Sequence, residues 1–429
     1  VGTAVITPYT TKTKLISVID MSLILIFYVV KCKIVYRVGM CKKRGAVFLA
    51  NVIDLFAGAG GLSLGAARAG FNVAAAVEVE PHAIESHIVN FPSTVHIQKD
   101  VMTLNGELLL QLAGIQQREL TGIIGGPPCQ GFSSIGHGDV NDIRNALFIK
   151  FFELIKELQP AFFVAENVPG IMKAKYNDIR NEAFRHVANY HILDPICINA
   201  SEYGAPTIRT RYFFIGYLDD GRIDPLSKND IIAMQVPEAS RTTVRQALEG
   251  LPSDIRYRSS NSSGLKRLTQ NYLEVNTPHM QSDFFYQRVI GMIPEGVGNK
   301  EYINIYQKKH IVNGFYPTKH AGNVRTRYAR LATGQQDRIS KSIRLDPDGY
   351  CPTLRAGTGP EKGSYQAVRP IHYDRARVIT PREAARLQGF PDWYKLPGTI
   401  WHGFRQIGNS VSPIAAERVL RAICYKLIE

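Results

Sequence analysis

The most regular feature of the chain is a series of short apolar segments separated by polar or glycine-rich turns. Six of these segments are rich in β-branched and small apolar residues, which is typical of strands buried in a sheet. They are 47–56, 73–77, 94–97, 122–124, 161–165 and 212–216. Apolar residues at helical spacing predict helices at about 81–90 and 145–158. This alternation predicts a doubly wound α/β sheet.

Polar residues that suit a nucleoside follow the first three predicted strands. The first strand runs into a glycine-rich turn, but the dinucleotide pattern GxGxxG fails there because position 63 is Ser. Glu78 lies 20 residues beyond Gly58 and could accept hydrogen bonds from a ribose, although a solvated surface glutamate is the alternative. Asp100 could accept from an adenine amino group.

A possible reactive centre follows the next strands. Two glycines and two prolines in GGPPCQGFS (125–133) present Cys129 on a constrained loop after a strand. Glu166 follows the strand 161–165 and could protonate a heterocycle that a thiol attacks. Arg209 and Arg211 share one face if their strand begins early, where they could hold an anion or a base carbonyl. A packed thiol and a capping carboxylate are the alternatives.

The periodicity weakens between about 217 and 373, which favours a separate, loop-rich domain. Its basic segment 319–330 contains histidine and tyrosine and suits nucleic-acid contact, with a solvated loop as the alternative.

The polar loop 131–144 is a candidate lid. Near the end, Thr380 is expected to cap a short helix that stops at Gln388. A turn at 406–411 then precedes a last helix from Pro413 to about residue 428.

The formal charge of +14 suggests an anionic partner such as nucleic acid. Half of it, +7, belongs to residues 1–45, so the body of the protein is only moderately basic. The six cysteines are scattered and contain no CxxC pair, so neither a zinc site nor a disulfide framework is suggested. A reducing compartment, the cytoplasm, is the expected location.

The first 45 residues form an unusual segment. Their apolar run, 15–30, is interrupted by Asp20 and is short for a membrane span, which needs about 20 residues. No small-residue cleavage site follows it, which disfavours a signal peptide. We expect a translated upstream extension outside the fold, with the functional start at Met21 or Met40. A membrane anchor is the alternative.

Six motifs in a fixed order carry a family resemblance over most of the chain. They are DLFAGAGGLSLG (54–65), GGPPCQGFS (125–133), AENVPG (165–170), RTR (209–211), ITPREAARLQGFPD (379–392) and GNSV (408–411). With them the chain closely resembles the DNA (cytosine-5)-methyltransferases of prokaryotic restriction-modification type.

The resemblance implies a catalytic domain of the S-adenosylmethionine-dependent α/β type in 46–220 plus 400–429. It implies a smaller target-recognition domain in 221–399. Cys129 would be the nucleophile, and Glu166, Arg209 and Arg211 would hold the cytosine, with Arg209 on the O2 carbonyl. S-adenosylmethionine, without a metal, would lie among Phe56, Gly58, Gly60, Gly61, Leu62, Glu78, Asp100, Pro128, Asn409, Ser410 and Val411.

Two positions depart from the family pattern. Thr207 stands where the family usually has Gln, so whatever that Gln orients is altered here. Val79 stands where the family often has a larger residue that packs on adenine.

The implied reaction is methylation of cytosine C5 within a specific duplex DNA sequence, by attack of Cys129 on C6 of a flipped-out base. A monomer acting on duplex DNA is expected, without membrane association and with a cognate restriction endonuclease that acts separately. The alternatives are a tRNA cytosine-5 methyltransferase and a non-catalytic DNA-binding protein of the same fold. An NAD-dependent oxidoreductase is more distant, because the glycine fingerprint fails.

Overall fold

The structure of this protein is a computed structural model that describes residues 50–128, 145–255, 271–276, 283–356 and 369–428, with the backbone of two short strands before them. The chain divides into two compact units, Val1–Phe48 and Leu49–Glu429. In the first unit, Lys42–Lys43 and Ala46–Val47 pair as antiparallel strands. The second unit contains the whole α/β fold.

A central sheet of eight strands organises the second unit. Its strands are β1 (Asn51–Leu55), β2 (Asn72–Val77), β3 (Val95–Ile97), β4 (Leu120–Gly125), β5 (Phe162–Asn167), β6 (His191–Ile192), β7 (Ile196–Asn199) and, after the short β8 (Thr207–Ile208) outside the sheet, β9 (Thr210–Tyr217). The order is β3-β2-β1-β4-β5-β9-β6, and β7 also pairs with β9. The first five strands are parallel, whereas β9 is antiparallel to its neighbours.

Helices cover the sheet and extend beyond it. They are α1 (Gly61–Ala69), α2 (Pro81–Asn90), α3 (Gly106–Ala113), α4 (Asn145–Leu158), α5 (Asn177–Arg185), α6 (Lys228–Ile232), α7 (Val244–Leu248), α8 (Phe284–Tyr286), α9 (Lys300–Lys309), α10 (Gly322–Ala329), α11 (Pro381–Gln388), α12 (Ile400–Asn409) and α13 (Pro413–Cys424). Two short strand pairs lie outside the sheet: β8 with β12 (Cys351–Pro352), and β10 (Leu273–Glu274) with β11 (Ile311–Val312).

Alternating side chains of the strands fill two apolar layers. On β1, Val52 packs with α1 and α13 on one face, whereas Ile53 and Leu55 pack with α3 and α4 on the other. The parallel strands are buried on both faces, which explains why they appear in the sequence as continuous apolar runs. The predicted α/β fold is therefore confirmed, with helix bounds at 81–90 and 145–158 as expected.

Three local expectations were wrong. Residues 406–409 belong to helix α12 and not to a turn, because Thr399 caps a helix that continues to Asn409. Helix α13 ends at Cys424 rather than near residue 428. Glu166 lies within strand β5, where it pairs with Phe213, and not in the turn that follows.

Helix α11 is fully buried although half of its residues are polar. Arg382 donates to the backbone carbonyls of Asn313, Pro391 and Tyr394, and Arg386 forms a buried ion pair with Asp392. As expected, Thr380 caps the helix, and its hydroxyl and backbone pair with Glu383. A buried charge is costly unless hydrogen bonds or an opposite charge compensate it, and here Arg382 has backbone acceptors and Arg386 has an acidic partner.

The proposed division into a catalytic and a target-recognition domain stays a prediction, since Leu49–Glu429 forms one compact unit. The segment before residue 400 also touches the first half of the fold, because Asn90 donates to Lys395 O. Within the described part of the chain, no helix is long and apolar enough to cross a membrane.

Helices α1 and α13 pack closely because Gly65 lacks a side chain. A Cβ added there would lie 2.4 Å from Ala416 Cβ and 2.8 Å from backbone atoms of α13. We expect Gly65→Ala to lower the free energy of unfolding by about 1–3 kcal/mol, since the packed backbone cannot yield. Urea denaturation measures this. Gly322→Ala is the control, because a Cβ there meets nothing within 4 Å. An equal loss of unfolding free energy in both variants would contradict the close packing of α1 and α13 at Gly65.

Candidate active site

The carboxyl ends of the parallel strands lie at one edge of the sheet. The register aligns Leu55 with Val77 and Gly125, and Gly125 with Ala165. The chain goes from β1 outward to β2 and β3, then returns to β4 on the other side of β1. Such a reversal leaves a crevice at this edge, which is where open α/β sheets bind ligands.

The glycine-rich turn after β1 adopts a backbone that requires its glycines. Gly58 and Gly60 have φ of 57° and 85°, and Phe56 shares this region with φ of 63°. Glycine adopts this conformation without strain, whereas a residue such as Phe56 rarely does, and strained residues cluster at functional sites. A Cβ on Gly58 would meet nothing within 4 Å, so space remains beside the turn.

Glu78 holds this turn. Its two carboxylate oxygens accept from the backbone N–H of Gly58 at 2.9 Å and of Glu80 at 2.8 Å. Burial raises the pKa of Glu78, because the charged form is desolvated more than these hydrogen bonds compensate. Asp100 lies farther out: it is exposed and accepts from Met102 N as the cap of a short 3₁₀ helix.

A buried chain of polar side chains lies behind the turn. Ser63 Oγ donates to Asp54 Oδ2 at 2.5 Å, His87 Nε2 lies 3.0 Å from Ser63 Oγ, and His87 Nδ1 lies 2.9 Å from His96 Nε2. Burial, with Glu78 nearby, raises the pKa of Asp54 to about 7. Burial also lowers the pKa of His87 well below its usual value, so His87 is neutral. When Asp54 is ionised, the hydrogen bonds of this series all run in one direction, because Ser63 then donates to Asp54 and accepts from His87.

The GNSV segment lies against the start of α1. A Cβ on Gly61 would come within 2.4 Å of Val411 O and 3.0 Å of Ser410 Cβ. Gln388 donates to Ser410 O, and Ser410 Oγ donates to Gln406 O, so the segment is held from two sides. Residues far apart in the chain are thereby brought to the glycine-rich turn.

Glu166 and Arg211 face each other at the end of β5. Arg211 Nε lies 2.9 Å from Glu166 Oε1 in an ion pair. A Cβ on Gly126 would lie 3.4 Å from Glu166 Oε2, and Asn167 Nδ2 donates to Pro127 O at 3.4 Å. The segment that leads to residue 129 therefore passes beside the Glu166 carboxyl group.

Arg209 has a different environment from Arg211. Strand β9 begins at Thr210, so the condition for a shared face is not met. The buried Arg209 guanidinium donates to the backbone carbonyls of Leu354, Gly408 and Asn409. The predicted shared face therefore does not form, and Arg209 instead donates to the segment 408–409.

Thr207 stands in a fully buried position next to this arginine. Its hydroxyl donates to Cys351 O at 3.1 Å, and its backbone pairs with the same residue in the strand pair β8–β12. Thr207 therefore ties β8 to β12.

The structure brings most of the predicted cofactor residues to the same sheet edge or to the start of α1. Gly58, Gly60 and Glu78 form the turn, whereas Gly61, Ser410 and Val411 form the contact behind it. Leu62 is buried in the core, and Asn409 is exposed. Val79 is exposed as well. Cys129 and the candidate lid 131–144 lie outside the described residues, which end at Pro128 before this loop.

Similarity to known proteins shows the family to which this chain belongs. Residues 50–425 match the family described as C-5 cytosine-specific DNA methylase. The chain belongs to this family. This methylase is 36% identical over 371 residues to Type II methyltransferase M.XorII of Xanthomonas oryzae pv. oryzae, covering 86% of this chain and 82% of that protein. It is 32% identical over 400 residues to Type II methyltransferase M.DdeI of Desulfomicrobium norvegicum, covering 87% and 88%.

Solved structures give the same fold. A crystal structure described as a prophage-encoded DNA modification methyltransferase of Escherichia coli matches this methylase with a TM-score of 0.76 at 48% identity, covering 88% of this chain and 99% of the other. The Dnmt2 methyltransferase of S. pombe matches with a TM-score of 0.55 at 17% identity, over 88% of this chain and 97% of the other, which shows the fold alone.

Methylases of this family use S-adenosylmethionine, and the residues present fit that group. The open space beside Gly58 leaves room for a ligand. Asp54 Oδ1 is buried without a hydrogen-bond partner, and Glu78 adds a second carboxyl group to the same region. Two carboxyl groups suit a ligand that carries a positive sulfonium and an ammonium group.

Sequence reasoning missed the chain of Asp54, Ser63, His87 and His96. Its only signal was Ser63, the residue that breaks the GxGxxG pattern and that proves to hydrogen-bond Asp54. Nothing in the spacing of His87 or His96 could have indicated that they meet. The role of Gly126 was also missed, because it depends on the position of Glu166.

Asp54 should make stability depend on pH. The pKa of Asp54 is about 7 in the folded protein, and its ordinary value of 3.8 applies to the unfolded state. Between these pH values only the folded state binds this proton. The stabilising contribution is present at low pH and is lost as pH rises through about 7. We expect the unfolding free energy of the wild type minus that of Asp54→Asn to fall by up to about 1.4 kcal/mol per pH unit in this window.

Urea denaturation of the cofactor-free protein at pH 5, 6, 7 and 8 measures this difference. Asp194→Asn, at an exposed aspartate, is the matched control and should give curves parallel to the wild type. Parallel curves for Asp54→Asn as well would contradict the assignment.

Proposed function

We propose that this methylase transfers a methyl group from S-adenosylmethionine to C5 of cytosine within a specific duplex DNA sequence. One observation carries the proposal. The Glu166 carboxyl group lies between the Arg211 guanidinium and the Gly126 segment that leads to Cys129. A carboxyl group and a cation at one sheet edge, beside the segment that leads to a cysteine, would suit attack of that cysteine on a pyrimidine ring.

Glu166 and Arg211 are suited to hold the base. The Glu166 carboxyl group would pair with cytosine N3 and the exocyclic amine, which orients the ring and stabilises charge that develops on it. Arg211 Nε faces Glu166, and its Nη1 donates to Thr210 O. Within the described contacts Nη2 has no acceptor, so it could donate to the O2 carbonyl. This reassigns to Arg211 the contact that the sequence resemblance gave to Arg209.

Arg209 is better suited to a positioning role. Its donors are directed at the carbonyls of Leu354, Gly408 and Asn409, and its side chain is 3% exposed. It would hold the GNSV segment against the start of α1, where the cofactor would lie. Loss of Arg209 would then affect the cofactor more than the base.

The chemistry requires Cys129 as the thiolate. The Cys129 sulfur would add to C6, which turns C5 into an enamine carbon that can accept a methyl group. S-adenosylmethionine, when bound, supplies that methyl group from its sulfonium centre. Removal of the C5 proton by a base and expulsion of the Cys129 thiolate then restore the ring. Because C6 is inaccessible in a stacked pair, the cytosine must leave the helix, at a cost of a few kcal/mol.

The substrate is favoured to be DNA by the relatives at 36% and 32% identity, both named as type II methyltransferases. Such names also favour a cognate restriction endonuclease that acts separately on the same sequence. The Dnmt2 structure, at 17% identity, supports only the fold. A tRNA substrate therefore has no specific support from these comparisons.

The decisive measurement is methyl transfer from labelled S-adenosylmethionine to unmethylated duplex DNA, with tRNA as a parallel substrate. Label in duplex cytosine is expected. Cys129→Ser should lose at least about 100-fold in rate, because the nucleophile is lost. Glu166→Gln should lose about 100-fold or more, because the carboxyl contribution to ring activation is lost. Label in tRNA alone would contradict the DNA substrate.

The two arginines should separate in kinetics. Arg211→Ala should lower kcat by about 100-fold with little change in KM for S-adenosylmethionine, because Arg211 faces the base. Arg209→Ala should raise the KM or Kd for S-adenosylmethionine about tenfold, because the carbonyls of residues 408 and 409 lose their donor. Thermal melting checks that both variants fold. A loss of kcat in Arg209→Ala together with a raised KM for S-adenosylmethionine in Arg211→Ala would show that Arg209, and not Arg211, contacts the base.

A further inference from the structure

Helix α10 and the turn that follows it form a strongly basic part of the surface. Residues 319–344 contain seven Lys or Arg and a single acid, Asp337. A small apolar cluster of Tyr328, Ile371 and Val378 fixes the helix to the rest of the fold. The charge is therefore carried on a packed element.

Two of these arginines hold the element together. Arg327 Nε lies 2.6 Å from Asp337 Oδ1, which joins the helix to the turn. Arg344 donates to the backbone carbonyls of Tyr328, Leu331 and Tyr373. Their charges are used inside the protein, so they are not the groups that face a partner.

Asp337 fixes the turn 337–342, named here the basic turn. Its Oδ2 accepts from Ser340 N and Ser340 Oγ, both at 2.7 Å, and its backbone pairs with Ser342 O and Lys341 N. Burial opposes the charge of Asp337, but Arg327 and Ser340 hold its pKa at about 2. Lys341 has φ of 58°, which turns the chain sharply. A buried carboxylate with these partners gives the basic turn one conformation.

The basic turn presents an apolar side chain between two cations. Ile339 is 72% exposed, which is the highest value among the large apolar residues that the structure describes. Arg338 and Lys341 on either side are exposed, as are Arg325 on α10 and Arg330 directly after it. Within the described residues, none of these four cations has an acidic partner.

The electrostatic field around α10 is positive. The pKa of His320 is lowered by burial and by the charges of Arg325, Arg377 and Arg369. A neutral His320 at neutral pH follows, so this histidine adds no charge of its own. The excess positive charge matches a polyanion better than it matches an uncharged apolar partner.

We propose that the basic turn contacts the duplex DNA substrate, with Arg338 and Lys341 on phosphates and Ile339 against the base pairs between them. The inference rests on the proposed function. Lysine and arginine neutralise phosphates and set the register on the duplex. An apolar side chain can read a thymine methyl group or press against a base step. The fixed turn presents Ile339 without ordering it on binding, which favours such a contact.

The two kinds of contact have separable signatures in the salt dependence of binding. Arg338→Gln and Lys341→Gln should each reduce the slope of log K against log salt by about 0.9, because each releases one counterion fewer. Ile339→Ala should weaken binding about tenfold at every salt concentration and leave that slope unchanged, because no charge is removed. The probe is a duplex that carries the cytosine found to be methylated by the wild type.

Matched controls are Ile428→Ala and Lys228→Gln, which make the same changes at exposed positions outside this element. They should bind the duplex as the wild type does. Thermal melting and binding of S-adenosylmethionine show that each variant is folded.

Wild-type binding by Ile339→Ala, or unchanged slopes in the cation variants, would overturn the inference while leaving methyl transfer to duplex DNA intact. If these variants lost binding to tRNA while they bound the duplex as the wild type does, the inference would be overturned as well. A wild type that methylates tRNA alone would defeat the proposed function itself.

Discussion

The close approach of helix α1 to the C-terminal segment is the constraint on which the proposed cofactor side of the site depends. Gly61 lies against the Val411 carbonyl and Gly65 against Ala416, at separations that leave no room for a Cβ. Because α1 begins where the glycine-rich turn ends, this contact sets the position of the turn. The residues after β1 and those after α12 therefore form one surface only while both glycines are present.

Buried polar groups maintain the geometry behind that surface. Asp54, Ser63 and His87 form a chain beneath the turn, and Glu78 fastens the turn from the front. Each of these interactions is specific in distance and direction, unlike apolar packing. The site thus combines an apolar sheet, which provides the strand ends, with polar connections, which decide where the loops between them lie.

The two arginines of RTR show how one short motif can serve two purposes. Arg211 follows the start of β9 and reaches Glu166, whereas Arg209 precedes that strand and reaches the carbonyls of residues 408 and 409. A single intervening residue places the two side chains in different environments, because the strand begins between them. The motif connects the Glu166 carboxyl group, on the proposed base side of the site, to the segment 408–409, on the proposed cofactor side.

The sequence by itself determined the α/β class, the parallel strands and the helices 81–90 and 145–158, because continuous apolar runs and helical spacing follow directly from burial. It also determined which motifs are present, since glycine, proline and cysteine have few substitutes in such loops. Only the tertiary structure decided that Ser63 pairs with Asp54, that Gly126 lies beside Glu166, and that residues 406–409 are helical. These features depend on contacts between residues that are distant in the chain or on the extent of a helix, and local patterns do not encode such distances.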